Sequence, residues 1–110
     1  MLDKKTAALI SLCNRAGLLK SGEVKCEKTL KKGEAKLVII STDASDNTKK
    51  KFLNKASYYN VPAFFFGETQ ELGKITGAGF TSSIVVTDYN LSEKLIDAML
   101  SAGASALARG

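Results

Sequence analysis

The sequence predicts an α/β fold in which a sheet of about four strands is sandwiched between helix layers. Three observations carry this. Short apolar runs rich in β-branched or aromatic residues (Lys36 to Ser41, Ala63 to Phe66, Ile84 to Val86) recur along the chain and read as buried strands. Between them lie stretches whose apolar residues follow helical spacing, opened by capping residues and closed by Gly or Asn. At 110 residues the chain can bury about two-thirds of its unfolded surface around one core. Strands alternating with helices make an α/β domain, although pattern alone does not fix parallel or mixed order.

Taken in order, Asp3 is a fair N-cap for a helix over residues 4–16, whose Leu9, Leu12, Cys13 and Ala16 follow helical spacing and which Gly17 ends. Leu18-Leu19 form a very short strand. The segment Lys20 to Gly33, running into Glu34 to Ile40, reads as a loop, a basic helix and a buried strand. Ser21 or Gly22 serves as N-cap, Glu23 places negative charge in the first turn, and Gly33 closes the helix. Lys25, Lys28 and Lys32 recur at i, i+3 and i+7 and share one face, while Cys26 and Leu30 share another. A lysine stripe alone is most simply a solvated face. Beside a helix N-terminus, whose free N–H groups attract phosphate, it suits a polyanion.

Lys36 to Ser41 should lie mid-sheet. Asp43 to Thr48 is dense in capping residues and opens a second basic helix with Phe52, Ala56 and Tyr59 inward. Its Lys49, Lys50, Lys51 and Lys55 are expected to lie off the main site. Asn60 and Pro62, the only proline, lead into the strand Ala63 to Phe66. Glu68 to Ile75 reads as a short helix, and Thr76 to Ser83 as a loop of small residues holding one exposed aromatic, Phe80. After the strand Ile84 to Val86, Asn90 and Glu93 form a cap-like pair before a helix carrying Leu91, Leu95, Ile96, Met99 and Leu100. Residues 1–100 are thus one domain, and 101–110, small and nearly uncharged, a flexible tail.

The charge is uneven. Residues 1–55 carry 13 basic and 6 acidic side chains, whereas residues 56–110 carry 3 and 5. The first half therefore favours an acidic partner, nucleic acid ahead of anionic membrane because no strongly amphipathic terminal helix is present. No apolar run is long enough to span a bilayer and no secretory signal is evident, so a cytoplasmic location is expected. Without histidine, Cys13 and Cys26 cannot complete a conventional zinc site and read as reduced core residues.

Catalytic signatures fail one by one. There is no imidazole base, no Gly-x-Ser-x-Gly elbow and no cluster of metal-binding carboxylates. Gly73-Lys74 invites a P-loop reading, but Glu68 stands where its first glycine belongs and Ile75 where its hydroxyl belongs. Gly77-Ala-Gly79 begins like a dinucleotide fingerprint, yet Ser82 replaces the third glycine and a strand follows.

The string Gly22-x5-Lys28-x4-Gly33-x-Ala35-Lys-Leu-Val-Ile-Ile40, then Asp43-Ala-Ser, Val61-Pro62 and Leu72-Gly-Lys74, closely resembles the kink-turn RNA-binding ribosomal-protein family, and within it a bacterial YlxQ-like branch. The match runs with nearly gap-free spacing from about Asn14 to Val86. The resemblance implies a three-layer α/β/α sandwich, no catalysis, no cofactor, and binding to a sharply bent RNA internal loop with tandem G·A pairs. Structured RNA, ribosomal RNA included, is the implied partner of what should be a monomer, with neither DNA nor membrane expected. Carried over by position, Gly22, Glu23, Val24, Lys25 and Lys28 enter the widened groove, with Lys32 continuing the stripe, while the loop Phe80, Thr81, Ser82, Ser83 and Ile84 covers the extruded nucleotide. Many relatives carry Asn-Glu where this chain has Val24-Lys25; there the amide and carboxylate meet guanine edges, which valine cannot do. The competing reading is a protein-interaction module on the same fold whose lysines only solubilise it.

Overall fold

The computed structural model describes residues 2–104. Helix α1 (Lys4–Arg15) starts because the Asp3 carboxylate accepts a hydrogen bond from the Thr6 N–H at 3.3 Å. Its inward stripe is Thr6, Ile10 and Cys13; Leu9 is half-buried, and Leu12 and Ala16, expected inward, are exposed. Both stripes fit helical spacing, and packing on the sheet selects one of them.

Strand β1 (Leu19–Ser21) lies one residue later than expected, because the Leu18 N–H still bonds the Cys13 carbonyl at the helix end. Helix α2 (Glu23–Lys31) and strand β2 (Leu37–Ile40) follow, and all four β2 residues are buried. Helix α3 (Asp46–Tyr58) is capped by Ser45, whose hydroxyl accepts from the Thr48 N–H. Strand β3 (Ala63–Phe65), helix α4 (Thr69–Thr76), strand β4 (Ser83–Val86) and helix α5 (Tyr89–Ser101) complete the order. The α5 cap is Asp88, which accepts from the Leu91 N–H at 2.9 Å; Asn90 sits inside the helix instead of capping it. Ser101 still belongs to α5, and the Ala104 N–H returns to the Met99 carbonyl, so residues 101–104 are held against the domain. The rest of the expected tail, 105–110, lies outside the described residues.

The sheet order is β1-β4-β2-β3, with β2 and β3 parallel and both β4 pairings antiparallel. Side chains alternate across it. Leu37 and Ile39 point to a core layer shared with Ile10, Leu72, Leu95 and Met99 from α1, α4 and α5. Val38 and Ile40 point to the other, shared with Cys26, Leu30, Phe52 and Ala56 from α2 and α3. Two helical layers therefore enclose the sheet as a three-layer α/β/α sandwich. Because β1, β2 and β3 run the same way, their carboxyl ends, and the N-termini of α2, α3 and α4 that follow them, gather at one end of the sheet.

Candidate nucleic-acid interface

At that end the chain turns into α2 through Gly22, whose φ of +92° and ψ of 151° are open only to a residue without Cβ. Gly22 also occupies the N-cap position and has no side chain with which to satisfy the first helical amides. The other helices are served by Asp3, Ser45, Asp88 and, in α4, a Glu68–Glu71 capping box. The N-terminus of α2 thus offers unshielded N–H groups and the positive end of its dipole to an anion.

Lys25, Lys28 and Lys32 are all exposed, and none makes an ion pair among the described residues. The glutamates of α2 do. Glu27 accepts from Lys51 at 2.7 Å and lies 3.8 Å from Lys55, and Glu23 lies 3.7 Å from Lys51 and accepts from the Thr48 hydroxyl at 3.2 Å. The hydrogen bond from Lys51 is the main cause holding the Glu27 carboxyl below its ordinary pKa, and the same bond raises Lys51. α3 thus neutralises the acidic flank of α2 and leaves the outward flank cationic. This corrects the expectation that the α3 lysines stand apart from the junction: Lys51 touches Glu23, and Lys49 lies 5.4 Å from the centre of the Phe65 ring. Beneath the helix, burial pushes the Cys26 thiol up to about 12, so it stays a neutral core group.

The second candidate segment meets the first directly. The Gly22 N–H donates to the Ser83 carbonyl at 3.1 Å, continuing the β1–β4 ladder by one bond past Ser21 and Ile84. The loop leading to Ser83 is clamped from below. Gly73 is buried in α4, and a Cβ there would overlap the backbone of Gly79 and Phe80; the Gly79 N–H closes the approach on the Gly73 carbonyl at 2.9 Å. The Thr81 N–H bonds Thr69 O, its hydroxyl donates to Ser83 O at 3.0 Å, and Ser82 O accepts from the Ser41 N–H. Asp43 completes the frame by accepting from the Thr69 N–H at 2.8 Å and the Thr69 hydroxyl at 3.0 Å; the former is the main cause lowering its pKa.

Placement sorts the loop residues. Phe80 is 66% exposed and Ser82 half-buried, whereas Thr81, Ser83 and Ile84 are buried, the last two as strand residues of β4. Of the hydroxyls read from sequence as free to meet a base, that of Thr81 is spent inside the frame and that of Ser83 is buried, so Phe80 and Ser82 are the accessible side chains. On α2, Val24 is likewise 66% exposed. Sequence reasoning missed Thr48, Lys51 and Gly73. Lys51 had a signal, since Glu23/Glu27 and Lys51/Lys55 are matched i, i+4 stripes of opposite sign; Thr48 and Gly73 had none.

Comparison with known proteins agrees with this architecture. A solved structure of a protein of unknown function from Bacillus halodurans C superposes with a TM-score of 0.82 at 37% identity, covering 86% of this chain and 96% of that one. The RNA-binding protein YlxQ of Bacillus subtilis is 39% identical over 88 residues, 80% of this chain and 88% of its own. The protein of the same name from Enterococcus faecium is 45% identical over 75 residues, 64% of this chain and 73% of its own. The large ribosomal subunit protein eL8 of Thermoplasma volcanium is 26% identical over 102 residues, 92% of this chain and 84% of its own. By name, the two YlxQ relatives are RNA-binding proteins and eL8 is a protein of the large ribosomal subunit. Residues 4–96 match the domain that defines the group, and the chain belongs to the ribosomal protein L7Ae/L30e/S12e/Gadd45 family.

Proposed function

We propose that this protein binds structured RNA without catalysis or cofactor, as a cytoplasmic monomer, and that its target is a sharply bent internal loop of the kink-turn type. The Gly22–Ser83 hydrogen bond is the observation that carries the reading, because it joins an uncapped, lysine-flanked helix N-terminus to a hydrogen-bonded loop presenting Phe80. The two elements offer complementary chemistry. Amides and the lysines Lys25, Lys28 and Lys32 take phosphates, and an exposed ring suits an unstacked base or sugar. RNA binding is also what the names of its bacterial relatives state of them.

A mobility-shift titration tests the reading, using a kink-turn RNA and the same stem with its G·A pairs replaced, each at two salt concentrations. The bent RNA should bind more tightly. Three lysine–phosphate pairs should contribute a log–log salt slope of about −2 to −3, and each Lys→Ala change at positions 25, 28 or 32 should lower it by about one unit. Binding that is absent, or indifferent to salt and to all three changes, would overturn the proposal and leave the protein-interaction reading in its place.

A further inference from the structure

The opposite end of the sheet has a composition of its own. There the amino ends of β1, β2 and β3 meet the carboxyl end of β4, and two adjoining clefts of about 440 and 320 Å³ open between the connecting loops. Gly33 and Lys36 line both. Lys20 lines the first, and Tyr59 and Tyr89 line the second. Tyr89 is 63% exposed, and Tyr58 stands beside the cleft with its ring edge-to-face on Tyr59, centroids 4.8 Å apart. All three tyrosines of the chain are thus at this end.

The lysine stripe of α2 leads to this place. It starts at Lys25 beside the junction and ends at Lys32, the C-cap, about 10 Å further along the helix axis and next to Gly33. Lys20 joins it from the edge strand: it pairs with Val85, whose side chain lies in the α2–α3 layer, so both face the α2 side of the sheet. Lys25, Lys28, Lys32, Lys20 and Lys36 are exposed and make no ion pair among the described residues. Two carboxylates, Glu34 and Glu93, and the negative ends of α1, α2 and α3 oppose an anion here. Lys20, Lys32 and Lys36 offset the two carboxylates locally, and the stripe through Lys28 and Lys25 makes them continuous with the junction instead of a separate patch.

We propose that the RNA footprint extends along α2 to this cleft, which holds a single-stranded extension of the bound RNA by stacking a base on Tyr89 and Tyr59 while Lys20 and Lys36 take its phosphates. Lysines that track a backbone beside aromatic rings that accept any base make a sequence-tolerant single-strand site. The proposal rests on RNA binding at the α2–Phe80 junction and adds a second, separable subsite to it.

The test compares a minimal bent stem with the same RNA carrying a five-nucleotide single-stranded extension. Stacking one base should tighten binding of the extended RNA by about fivefold to a hundredfold. Tyr89→Ala and Lys36→Ala, both at exposed positions, should remove that increase and leave the minimal RNA unchanged. Because the chain has no tryptophan, its tyrosine fluorescence reports this end alone and should be quenched by the extended RNA only. An extension that adds no affinity, or an increase that survives both substitutions, overturns the cleft as an RNA subsite, while the junction stands. If neither RNA binds, both readings fall together.

Discussion

Replacing Gly73 with alanine probes the frame that holds the Phe80 loop. In an open helix interior the change would stabilise by about 1 kcal/mol, since alanine is the better helix former. Here the new methyl would occupy space now filled by the backbone of Gly79 and Phe80, and backbone cannot rotate aside as a long side chain does. Forcing a methyl into a packed site costs about 1–3 kcal/mol, and losing the Gly79-to-Gly73 hydrogen bond about 1 more. The net loss is about 1–3 kcal/mol, a drop in Tm of about 4–8 °C per kcal/mol for a domain near this size. Thermal unfolding followed by circular dichroism measures it, with Lys74→Ala, an exposed neighbour on α4, as control within about 0.5 kcal/mol. Since the loop must lift away from α4, RNA affinity should fall as well, even well below Tm. A Gly73→Ala protein as stable as the parent would show that the close approach of the loop is not required and refute the reasoning.

Phe80→Ala should weaken RNA binding with little change in Tm, whereas Phe64→Ala, in the core, should cost about 3–5 kcal/mol; a large Tm loss at position 80 would mark that ring as structural. Val24→Asn with Lys25→Glu should widen the preference for G·A-containing RNA by about 1–3 kcal/mol for each guanine edge newly bonded, even as total affinity falls with the lost charge; an unchanged ratio in competition binding would place recognition elsewhere. Asp3, Glu27 and Asp43 all have pKa values lowered by folding, so their stabilisation is complete above the ordinary carboxylate range and is lost as pH falls through the lowered values. Urea midpoints should therefore be flat near neutrality and decline below about pH 4, and Glu27→Gln should shallow that decline.

What was readable in the sequence is what local physics determines. Leu37 to Ile40 is apolar at every position, so its place as an interior strand needed no partner to be seen. Asp3 and Ser45 cap through side chains three residues from the amide they serve, and such bonds leave a local mark. Strand order leaves none: β4 enters between β1 and β2 through pairings remote in sequence. The loop hydroxyls were misjudged for a related reason. Thr81 is polar by type, but once its hydroxyl donates to the Ser83 carbonyl it can be buried without penalty, and only the folded loop provides that acceptor. Leu12 errs in the opposite direction, as an apolar side chain on a helix whose orientation the sheet decides. The α2 lysines were legible as a stripe, but their freedom from ion pairs depends on α3 drawing Glu23 and Glu27 to itself.

The position of β4 also sets a schedule. The last strand to be synthesised is the one against which β1 and β2 both pair, so neither can take its final place until Ser83 to Val86 has left the ribosome. Before then the emerging chain carries most of its positive charge but no Gly22–Ser83 bond to shape it. A nascent or truncated chain ending before β4 should therefore adhere to any RNA and distinguish none. Selectivity would arrive in one step with the closing strand, making discrimination between RNAs a property of the finished chain alone.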